Sequence, residues 1–294
     1  MKRQRGVALI LVLWVITLLS VIAGNFAFSM RGEAQIARNL LSTAQAQAQA
    51  DAGVQRAWYE LIKPVTQVQR WMGNGLAHEL TFDGGVVRVS IQDESGKIDI
   101  NTASEALLLG LFRSVGLSDD AAVALADCVQ DWRDSDNLRR LHGAEEDEYV
   151  AAGKSYVPTN APFETIDELQ RVLGMTPELF HKLEPSLTVY SKQAGVNVAI
   201  APRGALLAIP GVTPELVDQY LELRRSVVAS GQAAPPFASA GGFASGAAGT
   251  PVFTARSEAK MTDGTVFVRQ AIARITPDPK HPVTLLAWGE GGSE

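Results

Sequence analysis

Val7 to Ala23 is an apolar run, "VALILVLWVITLLSVIA", in which Thr17 and Ser20 are the only polar residues. Directly before it stands "MKRQRG", three cations and a glycine. A helix rises about 1.5 Å per residue, so the run alone covers about 25 Å of a bilayer core about 30 Å thick. Continued through Phe28 it is long enough to cross. The helical pattern does not stop where the apolar residues do. "RGEAQIARNLLSTAQAQAQADAGVQRAWYELIK" is rich in Ala, Gln, Leu and Arg, and no proline interrupts the chain before Pro64. The spacing predicts one nearly unbroken helix over Val7–Lys63, about 85 Å long. Within it Ile36, Leu40, Ala44 and Ala48 recur every fourth residue, a stripe suited to packing against neighbouring helices.

The rest of the 294-residue chain has room for one or two sizeable cores. Its formal net charge of −6 argues against a nucleic-acid surface, which needs clustered Lys and Arg. Cys128, the only cysteine, lies in the apolar stretch "AAVALADCVQ" and reads as a small core residue. His78, His142, His181 and His281 are too far apart for metal-ligand spacing. No G-x-S-x-G elbow, P-loop or H-E-x-x-H motif is present, so the sequence does not describe an enzyme.

Two fates fit the charged start. A secretory signal would be cut after a small-residue site, for which "VIA" before Gly24 would serve. The alternative retains the helix, and here the residues carry a resemblance. "RQRG" followed by "VALILVLWVITLLSVIA" resembles the leader and anchor of type IV pilins and type II secretion pseudopilins. The resemblance implies cleavage by a prepilin peptidase after Gly6 and methylation of the new N-terminal residue, Val7. Most of these proteins carry a glutamate fifth in the mature chain, thought to pair with a neighbour's N-terminal amine. Leu11 stands there instead. An unpaired carboxylate in a bilayer is costly, so its absence suits a subunit that lacks that pairing, such as one at a fibre tip. In this departure, in size and in its central motifs, the chain resembles the general secretion pathway protein K family of minor pseudopilins.

Alternating residues and turn signals predict strands at Leu80–Phe82 and Val86–Gln92, a hairpin turned at Thr262-Asp263-Gly264, and a last strand in "VTLLAWGE". The expected fold class is α+β: a pilin-like long N-terminal helix packed on an antiparallel sheet, with a large inserted all-α domain of SAM-like or helix-hairpin-helix-like units. The expected divisions are a leader (1–6), a membrane or fibre-core helix (7–28), the remaining helix and first strands (29–100), the helical insert (101–226), a flexible Gly/Ala/Ser/Pro loop (227–250) and the C-terminal strands (251–294). "GLSDDA", "GMTPEL" and "GVTPEL" recur in the insert. Gly116, Gly174 and Gly211 would each end a helix, and Ser118, Thr176 and Thr213 would cap the next. Some such hairpins bind DNA backbone, but they usually carry a second glycine where Thr213 stands, which with the acidic balance favours a structural or protein-binding role.

"DCVQDWRDSDNLRRLHGAEEDEYV" is the most charged stretch, with eight acids and three bases from Asp127 to Glu148. Asp131, Asp134, Asp136, Glu145 and Glu146 supply hard oxygen ligands of the kind Ca²⁺ takes. The pattern is not an EF-hand, whose required glycine would fall at Arg139. Spacing alone leaves open a solvated acidic loop paired with Arg133, Arg139 and Arg140. "DWRDSD…GAEEDEY" resembles the acidic signature of the protein K family, which is associated with bound calcium, and so implies a structural Ca²⁺ here.

The resemblance also implies partners: other minor pseudopilins of the I and J type, the major pseudopilin, the prepilin peptidase and the inner-membrane secretion platform, with no nucleic acid. The implied location is the bacterial inner membrane, single-pass, with a periplasmic head at the pseudopilus tip. A type IV minor pilin, a periplasmic helix-hairpin-helix protein and a membrane-tethered hydrolase are the rival classes.

Overall fold

A computed structural model describes residues 7–64, 70–246 and 251–292. The leader, including Gly6, lies outside the described residues, and Val7 opens the first helix. That helix, α1, runs Val7–Ile62 without a break. Its first half meets no other part of the fold among the described residues: large apolar side chains from Leu9 to Leu41 are exposed along its length. Its second half buries one face, Ala46, Ala50, Gly53, Val54, Ala57, Trp58 and Leu61.

That face lies on a five-stranded sheet built from β1 (Asn74–Phe82), β2 (Gly85–Asp93), β5 (Val252–Met261), β6 (Val266–Ile275) and β7 (Val283–Glu290). The order is β1-β2-β5-β6-β7 and every neighbour is antiparallel. Valines and isoleucine of β2 (Val87, Val89, Ile91) and alanines of β5 and β6 (Ala255, Ala259, Ala271, Ala273) form the floor. Small residues on both sides let helix and sheet approach closely. A Cβ on Gly53 would stand 2.2 Å from Ser257 Oγ and 2.9 Å from methyls of Val87 and Val89. Polar ties fix the register: Arg269 Nε donates to Asp51 at 2.6 Å, and Ser42 Oγ donates to Asp263 in the β5–β6 turn at 2.5 Å.

β1 begins at Asn74, well before the expected Leu80. Its first residues lack strand alternation and are held by backbone pairing to β2 across an irregularity between Asn74 and Ala77, a tertiary effect that outweighs local propensity. The spacing-four stripe is separate from the face that packs on the sheet. Ile36, Leu40, Ala44 and Ala48 remain exposed, and the buried face is the opposite one, centred on Ala46 and Ala50.

β2 and β5 are neighbours, in register from Gly85 against Met261 to Asp93 against Phe253. Everything between them therefore leaves and returns at one end of two interior strands. This insert contains α2 (Glu105–Ser114), α3 (Asp119–Arg133), α4 (Glu146–Ala151), α5 (Pro177–Leu183), α6 (Arg203–Leu207) and α7 (Pro214–Ala229), with its own core. The repeated caps form as expected. Gly116, Gly174 and Gly211 take φ of +97°, +88° and +79°, and Ser118, Thr176 and Thr213 accept from Ala121 N, Leu179 N and Leu216 N.

Two features depart from an all-helical insert followed by a flexible loop. β3 (Ile98–Asp99) and β4 (Leu187–Thr188) pair in parallel, tying the start of the insert to its middle. The segment 227–250 opens with the last turn of α7, then buries Phe237 and Ala240 around a 3-10 turn at Ala238–Phe243. Its described part is therefore anchored: Phe237 lies 4.5 Å from the Tyr220 ring, contact enough to offset the poor propensity of the segment.

Candidate functional site

The acidic stretch spans the C-terminal turns of α3, a loop, and the start of α4. Trp132, Tyr149, Tyr156 and Phe163 pack together beneath it. Asp131 is fully buried on the underside of the loop. Its carboxylate accepts from Arg140 N at 3.2 Å and faces Arg140 Nε at 3.4 Å. The loop backbone presses against it at Gly143, where a Cβ would stand 1.9 Å from Asp131 Oδ2. Asp134 is the C-cap just after α3, with Oδ1 buried and without a hydrogen-bond partner among the described residues. Asp136 accepts from Leu138 N at 2.8 Å, which turns the loop back toward α4.

Glu145 closes the group from the other side. It caps α4 in a reciprocal box with Glu148, whose Oε2 accepts from Glu145 N at 3.0 Å. The Glu145 side chain is buried and Oε1 has no partner. Burial pushes its carboxyl up to about 7, and the charges of Asp131, Asp134, Asp136 and Glu148 push the same way. Burial also raises Asp131 and Asp134, helped by the next carboxylate in each case and opposed by Arg140, through a backbone hydrogen bond and its charge at Asp131 and through its charge at Asp134.

Four of the five expected ligands lie near enough for their charges to act on one another. Glu146 does not: it is exposed on the first turn of α4, and Glu148 stands near Glu145 instead. That neighbour was readable from sequence, because a capping box places an acid three residues after the cap. Of the expected arginine partners, Arg139 pairs with Glu148 at 3.0 Å and Arg140 with Asp131 and Asp134. Arg133 turns away, donating to the carbonyls of Ile100 and Ala103. Among the described residues no three His, Cys, Asp or Glu side chains form a ready-made metal cage. The orphaned oxygens of Asp134 and Glu145 nevertheless fit a hard cation, whose shell would be completed by backbone carbonyls and water.

In the helix-hairpin-helix segment two of the arginines are already paired with carboxylates. Arg203 is held bidentately by Asp218 at 2.7 and 3.0 Å, and Arg225 by Glu222 at 2.7 Å.

Comparison with known proteins gives concordant results. The family model for "Type II secretion system (T2SS), protein K" matches residues 86–192, from β2 through the acidic loop to β4 and the residues just after it. The chain is similar to the type II secretion system protein K family across this domain and in its curated relatives. The protein K of Klebsiella pneumoniae is 26% identical over 229 residues, covering 70% of each chain. That of Pseudomonas aeruginosa is 25% identical, covering 76% of this chain and 73% of its own. The fold is shared with a chain of the GspK-GspI-GspJ complex from enterotoxigenic Escherichia coli, at a TM-score of 0.57 and 16% identity, covering 90% of this chain and 99% of that one. This protein K homologue is a minor pseudopilin of the type II secretion system, and its apolar α1 fits a single-pass membrane anchor.

Proposed function

We propose that this protein K homologue caps the tip of the pseudopilus and supports its assembly, and so the export of folded proteins across the outer membrane. The observation that carries this is the exposed apolar half of α1, from Leu9 to Leu41, on a helix whose other half is sealed against the head. So much continuous apolar surface has to be covered by lipid or by neighbouring helices. Leu11 supports the tip position, since the leading subunit has no neighbour ahead whose N-terminus needs a carboxylate. In this account the leader is cut after Gly6, Val7 is methylated, α1 starts in the inner membrane and the head faces the periplasm. Partners are minor pseudopilins of the I and J type, as in the solved complex of the E. coli protein. The head acts by contact and carries out no catalysis.

A structural Ca²⁺ held by Asp131, Asp134, Asp136 and Glu145 belongs to the same account. The cation supplies positive charge to a cluster that otherwise keeps Glu145 partly protonated near neutral pH. Asp131 anchors the loop from below, and the Glu145–Glu148 box orients the first turn of α4.

Co-expression of the full chain with the I- and J-type subunits of its own system, followed by purification in detergent through a tag on this chain, tests the assembly. A stoichiometric ternary complex is expected. Recovery of this chain alone would contradict the partner assignment.

A further inference from the structure

Where the insert folds back over the outer face of the sheet, away from α1, it leaves a cleft of about 650 Å³. This is within the range of about 300–1,000 Å³ typical of ligand sites. Its floor crosses three adjacent strands through Gln92, Thr254 and Gln270, and its wall carries Thr188, Tyr190 and Arg224. Adjacent strands lie about 4.8 Å apart, so the floor is about 10 Å across.

The charges here are unequally matched. Lys97 pairs with the buried Glu94 at 2.8 Å, and Arg256 with Glu258 at 3.0 Å. Arg224 has no carboxylate partner among the described residues. Its Nη1 donates to the carbonyls of Val198 and Ala201 at 3.0 and 2.9 Å, leaving Nη2 and Nε uncommitted. It is half-buried, stacked 5.8 Å over the Tyr220 ring. Withdrawing an unpaired charge from water is unfavourable, and a guanidinium fork matches a carboxylate best. The Tyr190 phenol makes no hydrogen bond among the described residues, and burial first, then the charges of Glu94 and Asp167, keep it protonated.

We propose that this cleft binds a carboxylate-bearing peptide segment, with Arg224 and Tyr190 recognising the carboxylate and the Gln270 amide pairing with its backbone, while Gln92 Nε2 and the Thr254 hydroxyl stay bonded to the Asp93 and Ile200 carbonyls and to Glu94. The width of the floor favours an extended segment, since a compact acid would occupy only the Arg224 end. The proposal rests on the cleft alone, so it stands or fails separately from the placement at a fibre tip.

The test uses the full chain in detergent and a fluorescein-labelled alanine hexapeptide with one central aspartate, followed by anisotropy. Saturable binding is expected, about tenfold tighter than for the matched asparagine peptide. Arg224→Gln should abolish the preference. Tyr190→Phe, which leaves the Arg224 carbonyl ties intact, should weaken binding several-fold, and Arg225→Gln should change nothing. No binding, equal binding of the asparagine peptide, or indifference to both Arg224→Gln and Tyr190→Phe would overturn the proposal. Displacement by an equal concentration of free glutarate would overturn the peptide assignment, giving the site to a small carboxylate.

Discussion

The two cores of this molecule are built on opposite principles. The head is closed by small residues: alanines on α1 meet alanines on β5 and β6, and Gly53 lets the helix touch Ser257. The insert is closed by large ones, with Trp132 stacked on Phe163 at 6.0 Å and flanked by Tyr149 and Tyr156. A small-residue interface gains from close approach and is intolerant of added atoms. An aromatic cluster gains from buried area and is intolerant of lost ones. The head must hold a helix that projects out of the fold, while the insert must hold short helices and loops that have little stability of their own.

The largest effect expected to sharpen this contrast is Trp132→Ala, at about 3–5 kcal/mol. Urea unfolding followed by far-UV circular dichroism, beside the fluorescence of the head tryptophans Trp58, Trp71 and Trp288, should show the helices of the insert melting early with the head transition in place. A single undisplaced transition would mean the two cores are not separable. Gly53→Ala comes next, at about 1–3 kcal/mol from overpacking, although alanine is the better helix former. Stabilisation instead would show that the helix–sheet contact is looser than described.

Smaller still is a pH effect confined to the insert. The folded-state pKa of Glu145 is raised, to about 7, so its ionisation opposes folding. That cost is absent below the unfolded value near 4.5, grows as pH rises through the interval, and is complete above about 7. Without added divalent cation, the insert should therefore gain a few degrees in Tm as pH falls from 8 to 5.5, and Glu145→Gln should remove that gain. Calcium at pH 8 should do the same by compensating the ionised form. A pH-independent Tm would contradict the crowding of these carboxylates.

Much of this was legible in the chain because the signals were local. Proline-free helix formers fixed α1 from Val7 to one residue short of the expected Lys63, and Gly-Ser/Thr pairs fixed the starts of α3, α5 and α7. What was missed depended on partners distant in sequence. Nothing near Ala46 marks it as buried and Ala44 as exposed, because both are alanines and only the sheet decides. Phe237 sits in a segment of loop composition and is held by Tyr220 from α7. The acidic cluster was visible as composition, but Glu146 and Glu148 differ only by which side of a single helical turn they occupy. Arg224, the unpaired cation of the cleft, carries no sequence mark at all, since its neighbour Arg225 is tied by an ordinary ion pair to Glu222.

The central claim is that α1 is retained as the N-terminus of a mature pseudopilin. Intact mass and N-terminal sequencing of the protein extracted from bacterial membranes test it directly, alongside a Gly6→Val variant. The account predicts a chain beginning at N-methylated Val7, with processing lost in the variant. A chain beginning at Gly24 and unaffected by the variant would contradict it, because α1 would then have been cut away as a secretion signal.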